Sequence, residues 1–281
     1  MNHIELFSHA KVNLRLDILG KRPDGYHDIR TVFQKISLRD ELTVAIIKSG
    51  IEVACDNTQV PCNEKNLAHV AARMLLTRYG IKDGLRITIK KRIPIAAGLG
   101  GGSSNAASTL QGINQLFGLG LSTQELMKTG RDIGADVPFF LFANSAIGTG
   151  IGEKLEPISI HPKLWFLLVT PDIQISTAWA YQNVRRGLTN GAINITIPPC
   201  ITDLAGIIAI LSNDLEAVIT LRFPLIQDIK DELRNKGALG SLMTGSGSTV
   251  FGIFASEEKA RSAQGQLEMP SAWQHFVCWG I

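Results

Sequence analysis

Cysteine is scarce in this chain, and its placement does not indicate a metal site. The sequence has 4 cysteines and 6 histidines among 281 residues, and they form neither a C-x-x-C nor an H-x-x-x-H pair. Structural zinc sites are built from such closely spaced ligands, so a zinc site is not predicted. Isolated cysteines without a secretory leader are typical of the reducing cytoplasm, which is the location that the sequence predicts.

Long apolar runs are also missing. No stretch approaches the ~18 consecutive apolar residues that a membrane-spanning helix requires. Residues 1–7, M-N-H-I-E-L-F, lack the cationic segment and the apolar run of a signal peptide. We therefore expect no membrane partner.

Charge of one sign is not in large excess. Lysine and arginine number 28 against 25 acidic residues, which gives a net charge of +3 and a pI near 8.7. A nucleic-acid-binding face needs a basic stripe with interleaved aromatics, but these cations are scattered and aromatics make up 6% of the chain. No nucleic-acid partner is expected. The densest basic run, K-K-R at 90–92, is either a solvated strand end or a nucleotide contact.

Glycine, by contrast, is concentrated in residues 94–105 (P-I-A-A-G-L-G-G-G-S-S-N), which we call the glycine loop. Alternating residues at 85–90 predict a strand before it, and apolar residues at helical spacing predict a helix after it. Such a loop can direct backbone N–H groups at an anion, and the helix N-terminus adds about half a positive charge. A phosphate site is therefore predicted; the alternative is a tight turn without a ligand.

The glycine loop differs from the two commonest phosphate motifs. No lysine precedes Ser103 or Ser104, as a P-loop requires. The G-L-G sequence at 98–100 lacks the spaced third glycine of the dinucleotide fingerprint. Backbone amides, rather than a loop lysine, are therefore expected to hold the phosphate.

Length and periodicity predict two domains of α+β class. At 281 residues the chain exceeds the usual size of a single core. Strand-like alternation dominates the chain up to residue 54, and helical spacing takes over at 66–79. A shift in composition at 157–162 indicates the boundary, which gives an N-terminal domain of residues 1–159 and a C-terminal domain of residues 160–281.

Three polar residues in apolar surroundings are candidates for chemistry. Lys11 and Asn13 share the polar face of the first predicted strand, where a solvated strand lysine is the alternative. Asp136 stands directly ahead of the apolar run V-P-F-F-L-F, where it is either a functional carboxylate or a helix cap.

Two loops carry further candidates. Tyr26 and His27 follow a P-D-G turn, where they either stack on the ring of a ligand or form an ordinary surface pair. Residues 245–249, G-S-G-S-T, which we call the Gly-Ser loop, form either an anion-binding nest or a bare turn.

These motifs in this order resemble the GHMP kinase superfamily of small-molecule kinases. The resemblance rests on A-K-V-N-L at 10–14, the glycine loop and the Gly-Ser loop. P-D-G-Y-H at 23–27, the triple glycine before S-S-N, and G-A-D-V-P at 134–138 narrow it to the branch that acts on a cytidine diphosphate-linked methylerythritol. It spans residues 6 to 254.

The resemblance implies both a fold and a reaction. The N-terminal domain would be ATP-binding and similar to ribosomal protein S5 domain 2, and the C-terminal GHMP domain would be substrate-binding and ferredoxin-like. The enzyme would use ATP, with Mg²⁺ as Mg-ATP, to phosphorylate the 2-hydroxyl of 4-diphosphocytidyl-2-C-methyl-D-erythritol. That reaction lies on the non-mevalonate (MEP) route to isopentenyl diphosphate.

The resemblance also implies roles for residues at matching positions. Asp136 matches a catalytic aspartate that accepts the hydroxyl proton, and Lys11 matches a catalytic lysine. The ATP phosphates would be bound by Pro94, Ile95, Ala96, Ala97, Gly98, Leu99, Gly100, Gly101, Gly102, Ser103 and Ser104. The substrate would be bound by Tyr26 and Tyr181 on either side of the cytosine, by His27 at its polar edge, and by Asn13 and Thr177 near the methylerythritol.

The sequence departs from the resemblance at two places. Ala96 and Ala97 stand where some relatives have glycine, so the loop path is expected to differ slightly there. Tyr181 stands where some relatives have phenylalanine, and we expect either ring to stack on a base. Two alternatives remain: a GHMP kinase for a sugar, homoserine or a mevalonate-type alcohol, which needs no aromatic sandwich, and a non-catalytic nucleotide-binding protein.

Overall fold

The computed structural model describes residues 2–184 and 197–281. Its helices are α1 (Leu67–Arg78), α2 (Gly101–Leu116), α3 (Thr123–Ile133), α4 (Val137–Phe142), α5 (Thr177–Asn183), α6 (Leu204–Ile210), α7 (Glu216–Arg222), α8 (Leu225–Asn235) and α9 (Glu257–Gly265). Its strands are β1 (His3–Lys21), β2 (His27–Ile47), β3 (Ile51–Cys55), β4 (Gly84–Lys90), β5 (Ser145–Gly150), β6 (Lys154–Pro157), β7 (Ser159–Ile160), β8 (Trp165–Thr170), β9 (Cys200–Ile201), β10 (Ser212–Asn213), β11 (Gly240–Met243), β12 (Val250–Phe254) and β13 (Gln274–Trp279). Within those residues, no helix is both long enough and apolar enough to cross a bilayer.

The chain divides into two units. The first unit contains the described part of 1–10 together with 38–95 and 100–143, and the second contains 11–37, 96–99 and the described part of 144–281. Strands β1 and β2 each continue from one unit into the other. The predicted division into an ATP-binding domain of 1–159 and a substrate-binding domain of 160–281 stays a prediction, because compactness does not test what a domain binds.

In the first unit, β4 lies between two partner strands. It pairs antiparallel with the second half of β2, from Glu41↔Lys90 to Ile47↔Gly84, and parallel with β3. The alternating sequence of β4 buries Leu85, Ile87 and Ile89 and exposes the polar residues between them, as a half-buried strand should. Helices α1 to α4 belong to the same unit.

In the second unit, a four-stranded antiparallel sheet has the order β11-β12-β8-β13. Strand β8 is central, and its sequence W-F-L-L-V-T is accordingly almost continuously apolar and buried. Apolar residues of α5, α7, α8 and α9 pack with this sheet into one core. The first half of β2 pairs with β5, β5 pairs with β6, and β10 runs parallel to β1 at Arg15↔Ser212.

The strand, glycine loop and helix follow one another as predicted, with one difference. Strand β4 ends at Lys90, but α2 begins at Gly101, inside the glycine stretch, rather than after it. A Cβ at Gly101 would lie 2.9 Å from Lys91 Nζ and 3.1 Å from Ile93 Cγ2. Glycine is therefore used there for close packing within the first helical turn.

Candidate functional site

Lys11 is a buried lysine on β1. Only 4% of its surface is exposed, so the alternative of a solvated strand lysine is wrong. Its Nζ donates a hydrogen bond of 2.6 Å to Asn13 Oδ1 and lies 5.5 Å from the centre of the Phe33 ring. Lys11 and Asn13 meet because side chains two apart on a strand share a face.

Asn13 is buried too, and its side chain links Lys11 to residues far along the chain. Its backbone N–H donates to Thr244 Oγ1 at 2.9 Å, and that hydroxyl donates back to Asn13 Oδ1 at 3.3 Å. Asn13 Nδ2 donates to Thr31 Oγ1 at 2.7 Å. These bonds orient the amide that holds Lys11. The expected contact of Asn13 with substrate stays a prediction.

The glycine loop turns through left-handed backbone at alternate positions. Ala96, Gly98 and Gly100 have φ of 53°, 79° and 72°. The N–H of Lys11 donates to Leu99 O at 3.0 Å, which fastens the middle of the loop to β1. Helix α2 begins at Gly101, and no side chain caps that end. The first N–H groups of a helix have no partner within the helix, and an anion is one of the groups that can accept from them.

The Gly-Ser loop packs against the glycine loop. A Cβ on Gly98 would overlap the Thr244 carbonyl oxygen, and the Gly247 carbonyl oxygen lies 3.1 Å from the same point. Thr249 N–H donates to Ala97 O at 3.3 Å. A Cβ on Gly245 would lie 3.5 Å from Lys11 Nζ. Through these contacts the Gly-Ser loop supports the glycine loop.

Ala96 adopts a left-handed backbone conformation, which its Cβ disfavours. We expect Ala96→Gly to stabilise the protein by about 0.5–1 kcal/mol, because relieving left-handed strain outweighs the added chain entropy of glycine at this exposed position. Denaturant unfolding measures this change. Ala97→Gly is the matched control. Ala97 is buried and has no positive φ, so removing its methyl group should destabilise the protein by about 1 kcal/mol. Destabilisation by both variants would contradict the strain at Ala96.

Asp136 occupies the N-cap position of α4, but its carboxylate makes no cap hydrogen bond. The alternative of a side-chain helix cap is therefore wrong. The residue is half-buried, in the turn where α3 ends at Gly134. A Cβ on Gly134 would lie 3.9 Å from Ser103 Oγ, so this turn packs beside the first turn of α2.

Two of the residues expected at the cytidine end, His27 and Tyr181, come together in the second unit. The rings of His27 and Tyr181 have centroids 5.4 Å apart and planes tilted by 32°. Burial, together with the charge of Lys21, lowers the pKa of His27, which favours the neutral imidazole. Tyr26 is 61% exposed. Thr177, one turn before Tyr181 on α5, hydrogen-bonds Ser246 Oγ of the Gly-Ser loop at 2.8 Å.

Two supporting residues were missed by sequence analysis. The first is Thr244, which lies next to the Gly-Ser loop. The second is Asn213, whose Nδ2 donates hydrogen bonds of 2.8 Å to the carbonyl oxygens of Met243 and Gly245. The sequence around Asn213, S-N-D-L-E, indicates only the start of a helix. No local pattern reveals a side chain whose partners lie thirty residues away.

Comparison with known proteins decides the family. The model of the GHMP kinases N terminal domain matches residues 66–144, which include all of α1, the glycine loop and Asp136. The model of the GHMP kinases C terminal matches residues 199–270, which include the Gly-Ser loop. A 4-diphosphocytidyl-2-C-methyl-D-erythritol kinase from Geobacter metallireducens is 50% identical over 274 residues, or 97% of each chain. The chain belongs to the 4-diphosphocytidyl-2-C-methyl-D-erythritol kinases of the GHMP kinase family.

Solved structures agree with this family. A crystal structure titled 4-(cytidine 5'-diphospho)-2C-methyl-D-erythritol kinase is 33% identical, with a TM-score of 0.82 and coverage of 99% of both chains. A homoserine kinase from Cytophaga hutchinsonii is 18% identical, with a TM-score of 0.74, and the match covers 99% of this chain and 94% of the homoserine kinase chain. At that identity the likeness shows the fold alone. The predicted GHMP fold class and kinase activity are confirmed. GHMP kinases take their phosphate from ATP.

Proposed function

We propose that this GHMP kinase transfers the γ-phosphate of ATP to the 2-hydroxyl of 4-diphosphocytidyl-2-C-methyl-D-erythritol. One observation carries the choice of substrate: the 50% identity, over almost the whole chain, to a kinase named for it. The likeness to homoserine kinase is far more distant. The product is the 2-phosphate, on the non-mevalonate route to isopentenyl diphosphate, and we infer that the enzyme works in the cytoplasm without nucleic-acid or membrane partners.

The glycine loop binds the triphosphate in this proposal. Residues 95–104 carry backbone N–H groups, and the uncapped start of α2 adds the positive end of a 16-residue helix. Phosphoryl transfer depends chiefly on positioning and charge stabilisation, which fixed backbone donors supply without reorganisation. The contact of Gly98 with the carbonyl of Thr244 fixes the loop for that purpose.

Asp136 and Lys11 act on the acceptor alcohol. Asp136 accepts the proton of the 2-hydroxyl as its oxygen attacks the γ-phosphorus, and Lys11 stabilises the negative charge that develops. The position of Asp136, half-buried in the turn that packs beside the first turn of α2, supports the first role. The burial of Lys11 and its orientation by Asn13 support the second, because a buried cation acts with little screening.

Mg²⁺ enters with ATP, as part of the substrate. The described residues hold no group of three or more histidine, cysteine, aspartate or glutamate side chains that could bind a metal by themselves. Magnesium in kinases keeps several waters and is bound by substrate phosphates with one or two carboxylates, so it does not require a cluster of protein ligands. When bound with ATP, the ion would neutralise charge on the phosphates.

The cytidine end is recognised by Tyr26, His27 and Tyr181. We assign the faces of the cytosine to the two tyrosines and its polar edge to His27. The neutral imidazole has one donor and one acceptor nitrogen, so it can bond either to the amino group or to an acceptor atom of the cytosine edge. Thr177 would contact the methylerythritol from the same face of α5 as Tyr181.

Tyr26→Ala should raise the KM for the cytidine substrate about tenfold or more, with the KM for ATP unchanged, because aromatic stacking on a base contributes about 1–3 kcal/mol. Steady-state kinetics with each substrate varied in turn measure this. Tyr79→Ala is the control, since Tyr79 is an exposed tyrosine at the end of α1 with no proposed ligand role. An unchanged KM for the cytidine substrate would favour a GHMP kinase for an alcohol without a nucleobase.

A coupled ADP-release assay tests the proposed function. The protein is given Mg-ATP with the cytidine substrate, homoserine or mevalonate in separate reactions. Turnover with the cytidine substrate alone is expected. Turnover with another alcohol would replace the proposed substrate, and ATP binding in calorimetry without transfer to any of them would indicate a non-catalytic nucleotide-binding protein.

A further inference from the structure

Asp40 is a fully buried carboxylate in the first unit, with 0% of its surface exposed. Its Oδ1 accepts hydrogen bonds from the backbone N–H groups of Arg92 at 2.8 Å and Ile93 at 2.9 Å. Its Oδ2 accepts from Lys91 Nζ at 2.5 Å and from Asn105 Nδ2 at 3.0 Å. A charged group removed from water needs such a set of partners, and hydrogen bonds to a carboxylate are among the stronger ones in proteins.

The partners of Asp40 lie at the two ends of the glycine loop. Residues 91–93 connect β4 to the loop, and Asn105 is the last residue of the loop, within the second turn of α2. One carboxylate therefore joins the entry of the loop to its exit, and the eleven residues between them are those assigned to the ATP phosphates. A small shift of either end would move their N–H groups.

The Asp40–Lys91 pair also packs beneath the start of α2. Lys91 Nζ lies 2.9 Å from the point where a Cβ on Gly101 would stand, so a side chain larger than hydrogen there would displace the ammonium group. The side chain of Lys91 is only 6% exposed. The alternative of a solvated strand end thus fails for Lys91, while Arg92 beside it is exposed. The pair is part of the support of the loop.

We propose that Asp40 is a positioning residue for phosphoryl transfer: it fixes both ends of the glycine loop and so sets the N–H groups that bind ATP. The inference rests on the proposed function of that loop. Asp40 acts through the backbone of 92–93 and through Asn105, so its loss should weaken ATP binding much more than binding of the alcohol substrate.

The test is Asp40→Asn, which keeps the shape but turns an NH₂ group toward the donors of Lys91 and Asn105. The KM and the calorimetric Kd for ATP should rise about tenfold or more, while the KM for the cytidine substrate stays within about twofold. Asp17→Asn is the matched control: Asp17 is a buried carboxylate bonded to Arg15 at 2.7 Å and Arg30 at 3.0 Å, and its loss should lower the melting temperature without changing the KM for ATP.

Two further variants keep the inference falsifiable. The double variant Asp40→Asn with Asn105→Asp exchanges the carboxylate and the amide, which restores a donor-acceptor pair between residues 40 and 105. Its KM for ATP should therefore be lower than that of the Asp40→Asn variant. If Asp40→Asn does not fold, Asn105→Ala alone should raise the KM for ATP selectively. An ATP affinity unchanged in the folded variants, or lowered equally by Asp17→Asn, would overturn the inference.

Failure of the proposed function would look different. In that case the wild-type protein would not release ADP with the cytidine substrate, or Gly98→Ala would bind ATP normally. An active wild-type enzyme that depends on Gly98 but not on Asp40 would overturn the positioning role alone.

Discussion

Asp136→Asn is expected to lower kcat by about 10²–10⁴-fold, the usual effect of removing a general base. The amide preserves the size of the side chain and its place at the start of α4, but it cannot take the proton of the 2-hydroxyl. Because the amide has nearly the same shape as the carboxyl group, the variant should still fold. Saturating steady-state kinetics together with a thermal melt measure the two effects.

Asp132→Asn is the control for this variant. Asp132 is an exposed aspartate in the last turn of α3, one helical turn before Asp136, and its neutralisation changes the local charge by the same amount. Its kcat should match that of the wild type. A kcat within about threefold of wild type for Asp136→Asn would contradict its assignment as the base.

Gly98→Ala is expected to raise the KM for ATP by about 10²-fold and to destabilise the fold by about 2–4 kcal/mol. Two effects combine at this position. A residue other than glycine is strained at φ 79°, and its Cβ would overlap the carbonyl oxygen of Thr244, which is backbone and cannot rotate away. The glycine loop must move off the Gly-Ser loop, which displaces the N–H groups assigned to the phosphates.

Gly118→Ala separates the two effects. Gly118 is also left-handed, with φ 59°, but nothing lies within 4 Å of the Cβ it would gain. That variant should lose about 1 kcal/mol of stability and keep the wild-type KM for ATP. Equal kinetics for the two glycine variants would show that the packing of the two loops has no part in ATP binding.

Local features of the active region were predictable from the sequence. The alternation at 85–90 marks β4, and the S-T-Q-E capping box at 122–125 marks the start of α3, where the structure has both reciprocal bonds. The glycine-rich sequence G-T-G-I-G-E at 148–153 is typical of a hairpin turn, and β5 and β6 pair antiparallel on either side of it. These features depend on near neighbours, so patterns a few residues long contain the information.

Features that depend on distant partners were not predictable. The sequence pattern did not distinguish a solvated strand lysine from a functional lysine at position 11. The burial of Lys11 beside Asn13 and Phe33 excludes the solvated lysine. Asn13 and Thr244 are 231 residues apart, and nothing near either one marks their reciprocal bonds. Ala96 was expected to alter the loop path because alanine disfavours positive φ, yet it adopts φ 53°, since tertiary contacts override local preference.

The position of the transferred phosphate tests the proposed function most directly. The wild-type protein is incubated with Mg-ATP and 4-diphosphocytidyl-2-C-methyl-D-erythritol, and the product is examined by phosphorus NMR with ADP measured in parallel. Carbon 2 carries the methyl group and no hydrogen, so a phosphate on the 2-hydroxyl gives a phosphomonoester signal without vicinal proton splitting. We expect that unsplit signal, with one ADP for each phosphomonoester. A signal split by neighbouring protons, or ADP formed without a phosphomonoester, would contradict the proposed reaction.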